Sequence, residues 1–187
     1  MWQRPSTRWL TPAWFRRSRA IALSLALLLA TLAGLGFTAP AQAALRVIEE
    51  APGQVLYQTR HSLRDTADQP WQVVFFKRER PEGPPLIHLR LVGFPEAVTF
   101  QHPQPLPVQV DGATVGTAAD VFKARSPGPN VGEYDFADLI LTLPAAGFLQ
   151  LELPLTAPRS LRVPYFVVRQ WQAVARQSAP DFPPGSP

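Results

Sequence analysis

Apolar and polar residues alternate with a period of two along several stretches of the chain, the spacing of a sheet with one buried face. In Gln54–His61, Val55, Tyr57 and Thr59 oppose Leu56, Gln58 and Arg60. The run Trp71–Lys77, WQVVFFK, is apolar on both faces and is predicted to be a central strand. Leu86–Val92 sets Ile87, Leu89 and Leu91 on one face and His88 and Arg90 on the other. Turns at Thr66–Gln69 and Arg80–Pro85 join these three segments, which predicts an antiparallel meander.

Val98–Phe100 is expected as a short fourth strand. Val108–Val110 and Ala113–Val115 flank Asp111-Gly112, a dipeptide suited to the positive φ angles of a type I′ hairpin. Thr117–Phe122 reads as a short helical turn capped by Thr117. Ala124–Gly132 is loop, and Tyr134–Leu143 fits a helix or a strand. Leu149, Leu151, Leu153 and Leu155 alternate with Gln150, Glu152 and Pro154, and the proline assigns this strand to a sheet edge. Leu161–Val163 adds one more strand. The period then changes. Over Pro164–Gln177, Val167, Val168, Trp171, Val174 and Ala175 form one helical stripe, expected to pack on the sheet. A surface for a partner or a membrane is the alternative use of that stripe. The predicted fold is mainly β: a small antiparallel β sandwich or open barrel with one C-terminal helix packed on it. An α+β sheet with a helix across one face is the alternative.

The first 43 residues follow a different pattern. Arg4, Arg8, Arg16, Arg17 and Arg19 precede a largely apolar run, Ala20–Phe37, and Ala41-Gln42-Ala43 supplies small residues at a cleavage site. This predicts a signal peptide over 1–43, a single β-rich domain over 44–178 and a disordered proline-rich tail over 179–187. An uncleaved anchor is the competing reading of the apolar run, and Arg16-Arg17 raises twin-arginine export beside the general route.

Removing that segment changes the charge argument. Five of the 18 basic residues and none of the 14 acids fall in it, leaving 13 against 14. The basic balance belongs to the leader and gives no basis for nucleic-acid binding. Nineteen of the 22 prolines fall after residue 43, between apolar runs, consistent with short strands and stiff turns. There is no cysteine, which excludes thiolate chemistry and thiolate metal sites.

Candidate chemistry is sparse. His61, His88 and His102 lack the close spacing of metal-ligand pairs. His61, Ser62 and Asp65 lie too near one another along a strand end for a catalytic triad, and no nucleophile elbow is present. Arg60, His61 and Arg64 are candidates for a small cationic binding patch. Glu133, Asp135 and Asp138 cluster without the calcium-loop pattern. The stiff loop SPGPNVGEYD, 126–135, is the most distinctive segment, and Asn130, Tyr134 and Asp135 are its candidate binding residues. No catalytic residue, metal ligand or cofactor site is assigned.

The stretches EEAPGQVLYQTRHSLRD, WQVVFFKR, LRLVGFP, HPQPL, the DVF turn, SPGPNVGEYD and VPYFVVRQWQ together resemble an uncharacterised family of small exported cyanobacterial proteins, a domain of unknown function. The resemblance implies a compartment outside the cytoplasm, periplasm or thylakoid lumen, and no reaction. With export and the lack of a catalytic set, it leads to the expectation of a non-catalytic accessory protein that binds a protein partner at the outer side of a membrane. Assembly or stabilisation of a photosynthetic complex is one form of that expectation. A carrier of a small apolar ligand in a β cavity is the alternative, and an enzyme of unrecognised type using His61 or His88 is the third.

Overall fold

The alternation in Gln54–His61 extends in the computed structural model to an eleven-residue strand, and it begins a nine-stranded antiparallel sheet. The structure describes residues 45–178 apart from 124 and 145, within one compact unit, Ala43–Pro187. The segments predicted as signal peptide and disordered tail lie outside the described residues. The strands are β1 (Arg46–Ala51), β2 (Gln54–Arg64), β3 (Pro70–Glu79), β4 (Leu86–Val92), β5 (Leu106–Val110), β6 (Ala113–Asp120), β7 (Val131–Asp135), β8 (Phe148–Leu153) and β9 (Arg159–Pro164). Helix α1 (Tyr165–Ala175) follows. Their order in the sheet is β1-β2-β3-β4-β7-β6-β5-β8-β9.

The meander β2–β3–β4 stands in the predicted order, with Phe75 opposite Thr59 on one side and Leu89 on the other. Asp111 and Gly112 take φ of 49° and 82° between Val110 and Ala113, the left-handed pair that a type I′ turn needs. The sheet is single and open, and it curls. Asp65 at the end of β2 forms a bridge with Leu161 of β9, and the Thr66 N–H donates to the Ser160 carbonyl at 3.0 Å. β1 stands outside this seam, and all six of its residues are exposed.

Helix α1 lies against the concave side of the curl, where its predicted stripe of Val167, Val168, Trp171, Val174 and Ala175 is buried. Trp171 stacks on Phe75 with ring centroids 5.3 Å apart, and Phe136 meets both rings edge-on. Gln172, buried within the same stripe, donates to the carbonyls of Ile140 and Leu143. The far end of the helix is tied down by two strand residues. Lys77 donates to the Gln177 carbonyl, and Tyr57 donates to the Ser178 carbonyl at 2.9 Å. These bonds fasten the segment just beyond the helix to β2 and β3. Among the described residues, no helix is long and apolar enough to cross a membrane.

Four local expectations are corrected. Thr117–Asp120 continues strand β6 instead of forming a helical turn, because pairing with β5 and β7 outweighs the cap signal at Thr117. Val98–Phe100 yields only a single bridge, Phe100 to Leu155. Tyr134–Leu143 divides between β7 and a chain of turns in which Ile140 N–H donates to Phe136 O. The leucine strand β8 lies between β5 and β9, not at the edge, because Pro154 falls just beyond its last paired residue. The sequence reading assigned no strand to β1.

Candidate binding face on the outer sheet surface

Period-two alternation sends the side chains of β2, β3 and β4 to opposite faces. Val55, Tyr57, Trp71, Val73, Phe75, Ile87, Leu89 and Leu91 belong to the core. Their neighbours Leu56, Gln58, Arg60, Gln72, Val74, Phe76, Arg78, Arg90 and Val92 line the other face. With Ile48 and Glu50 of β1 they form an open trough of about 360 Å³. A second hollow of about 280 Å³ shares Gln72 and Val92 with it and is bounded by Trp71, Phe94 and Pro95. One end of this face carries three arginines. The other ends at Phe94, which is 64% exposed.

The register fixes the cationic end. Val74 pairs with Arg60 on one side and Arg90 on the other, so the two guanidinium groups flank it. Phe76 stays buried because arginines cover it, with Arg78 and Arg90 each within about 6 Å of its ring centre. Arg78 binds Glu50 through Nε and Nη2, at 2.7 and 3.1 Å. Arg90 Nε donates to Glu133 Oε2 at 2.6 Å, and His88 Nδ1 lies 2.8 Å from Glu133 Oε1. An ionised carboxylate only accepts, so His88 carries its proton on Nδ1. Burial acts to raise the Glu133 pKa, but the bonds from His88 and Arg90 outweigh it and hold the group below its ordinary value. Arg60 differs from both neighbours. It is exposed, its Nε reaches Gln58 Oε1 at 3.4 Å, and no carboxylate among the described residues pairs with it.

The predicted site residues do not gather in one place. Arg60 lies in the trough. His61, one residue on, faces the opposite side of the sheet, and its Nε2 is buried without a partner among the described residues. Burial lowers the His61 pKa. Arg64 pairs with Asp68 at 3.4 Å on an exposed turn. Strand alternation thus divides the predicted cationic patch. His61 and His88 also occupy opposite faces, and Ser62 faces away from His61. Asn130 donates to the Gly93 carbonyl at 2.8 Å while the Gly93 N–H donates to Asn130 O, clasping two loops together. Tyr134 is buried at the core, its hydroxyl is unpartnered among the described residues, and burial followed by the nearby Asp120 raises its pKa. Asp135 is exposed and accepts from the Ala137 N–H at 3.0 Å.

Arg78, Arg90, Gln58 and Gln72 were not singled out by the sequence reading. His88 and Arg90 already shared a face in the alternation of β4, which was the available signal; the register that brings Arg60 and Arg78 beside them is a tertiary property. A second polar cluster joins His102 Nδ1 to Asp120 Oδ2 at 2.6 Å beside Phe100 and Phe122. Among the described residues, no three histidine or acidic side chains are grouped so as to hold a metal ion.

A family model described as a protein of unknown function (DUF3122) matches residues 43–174. No curated protein matches the chain. No solved structure matches it.

Proposed function

The chain belongs to that family of unknown function, and we propose that it is an exported, non-catalytic accessory protein that grips an acidic segment of a protein partner across the arginine-bearing face of its sheet. The observation that carries this reading is the contrast between Arg60 and its neighbours. Arg78 and Arg90 are neutralised by Glu50 and Glu133, whereas Arg60 stands exposed in the same trough with no acid partner among the described residues. A guanidinium of this kind offers planar, paired donors to a carboxylate, and the apolar floor of Leu56, Val74 and Phe76 adds contact area. The trough is open and crosses four strands, a form better suited to an extended chain segment than to an enclosed small molecule.

Export to the periplasm or a thylakoid lumen is part of this proposal and rests on the leader pattern of residues 1–43. The carrier reading has less support, because Trp171, Phe75 and Phe136 pack ring against ring on the concave side where a ligand would lie. The enzyme reading has less support because His61 and His88 occupy opposite faces and Glu133 is engaged by Arg90 as well as by His88.

The test is affinity recovery of the tagged protein from its own cells, with mass spectrometry of what accompanies it. A protein with an acidic segment, recovered with the wild type and lost with Arg60→Glu, is the expected result. Equal recovery by both forms would overturn the reading.

A further inference from the structure

Helix α1 buries one stripe and turns the opposite one outward. Tyr165, Phe166, Arg169, Ala173 and Arg176 recur at spacings of three and four, away from Val167, Trp171 and Val174, and all five are exposed. Phe148 joins them from the sheet. It stands directly across from Pro164, the residue before the helix, and the Arg162 guanidinium lies 5.3 Å from its ring centre.

Two independent observations mark this surface. The first is aromatic. Of the exposed aromatic side chains among the described residues, Phe94, Phe148, Tyr165 and Phe166, all but Phe94 meet here. The second is electrostatic. Residues 153–178 hold four arginines and no acid. Arg159 is paired with Asp65, but Arg162, Arg169 and Arg176 have no carboxylate partner among the described residues. Asp111 stands at the rim, where its carboxylate is turned to the Phe148 N–H at 3.5 Å. Glu152, on the outer face of β8, accepts from Gln150.

We propose that this surface docks the protein on an anionic lipid bilayer. Exposed rings settle at headgroup depth, and the Tyr165 hydroxyl keeps its polar end among the headgroups. Arginines bind lipid phosphates in a paired fashion while their stems lie on apolar surface. An acidic protein would have to match a fixed relief of rings and guanidinium groups. A fluid headgroup layer fits any such relief and supplies negative charge across the whole patch. The rings also stand outward, whereas the two hollows of the binding face are bounded by other residues. Attachment of this kind is shallow and reversible. The patch belongs to β8, β9 and α1 and the trough to β1–β4, so the inference stands independently of what the trough binds.

Cosedimentation with vesicles tests it. The protein is taken from its own cells in the form they leave it. It is offered vesicles of mixed phosphatidylglycerol and phosphatidylcholine, and vesicles of phosphatidylcholine alone. The expected result is binding to the anionic vesicles only, reduced by added salt. Arg169→Gln weakens it by about fivefold, and Phe166→Ser by about as much, with the circular dichroism spectrum unchanged. Arg64→Gln, the same loss of charge on the β2–β3 turn, leaves it as it was. Failure to bind either vesicle overturns the proposal, including for a chain that instead recovers an acidic protein. So does equal binding to both kinds, which an apolar leader still attached would produce. Anionic binding indifferent to Arg169→Gln and Phe166→Ser, or weakened equally by Arg64→Gln, overturns the assignment to this face.

Discussion

The indole N–H of Trp71 donates to the carboxylate of Asp65 at 3.0 Å, inside the seam where the curled sheet meets itself. The same carboxylate accepts from the backbone of Ala67 and Gln69 and from Arg159. One side chain thus shapes the β2–β3 turn, anchors a core tryptophan and fastens β9. Replacing it with alanine leaves the buried indole N–H and the half-buried Arg159 guanidinium without their acceptor. Asp65→Ala is expected to lower stability by about 3 kcal/mol, read as a fall in the denaturant midpoint. An unchanged midpoint would show that the seam does not depend on this residue.

Stability should fall in two stages as the solution is acidified. Burial lowers the pKa of His61, so the folded state binds fewer protons there than the unfolded state, whose value is 6.5. The stabilisation is present above pH 6.5 and declines below it as the unfolded form charges first. At Asp65, burial acts to raise the pKa, but the bonds from Trp71, Gln69, Arg159 and Ala67 outweigh it and leave it lowered. Glu133 is lowered as well. Their contribution is present above the unfolded carboxylate range of about 4 and is lost as pH drops through the folded values. Thermal melts from pH 8 to 3 should show both stages, and His61→Gln should flatten the first while leaving the second.

The loop 126–135 makes its strictest demand at Gly132. A β-carbon there would stand 2.8 Å from the Phe100 ring and 2.9 Å from the Tyr134 hydroxyl, both buried. Gly132→Ala is therefore expected to cost about 1–3 kcal/mol through overpacking. At Gly112 the space is open, and the φ of 82° sets the cost of a side chain instead. Comparing Gly132→Ala with Gly112→Ala by chemical denaturation separates crowding from backbone strain.

Trp171 is the seat of the helix. Truncating it removes the stack on Phe75 and the edge contact with Phe136. Trp171→Ala should cost about 3–5 kcal/mol and flatten the near-ultraviolet dichroism before the far-ultraviolet signal of the sheet. Loss of both signals together at the same denaturant concentration would mean that helix and sheet unfold as one unit.

Much of the fold was legible because its signals are local. Alternation located β2, β4 and β8, an apolar run on both faces located β3, the Asp-Gly pair located the β5–β6 hairpin, and the switch to spacings of three and four located α1. What escaped depends on partners distant in the chain. β1 has no buried face, so it leaves no alternation of burial to read. Thr117–Asp120 has the composition of a capped turn and becomes a strand only through its neighbours β5 and β7. The site was less legible than the fold. Arg60 was singled out, but alternation separates it from His61, while Arg78 and Arg90 join it through a register that sequence spacing does not encode.

That separation gives a direct comparison. Arg60 and Arg64 are both exposed, but Arg60 lies in the trough while Arg64 is held by Asp68 on a turn. Reversing the charge at Arg60 should reduce partner recovery by roughly tenfold, and Arg64→Glu should leave it unchanged. Equal losses would indicate long-range attraction in place of a located contact, and raising the salt concentration would then abolish recovery in both.

The clasp of Lys77 and Tyr57 on the carbonyls of Gln177 and Ser178 bears on where the chain can be cut. The family match stops at 174, but a fragment ending there would take away two acceptors and leave an almost wholly covered ammonium with only Glu79 at 2.9 Å to answer it. A piece that keeps both bonds extends through Ser178, and a truncation made at the family boundary is expected to be less stable for the loss of them.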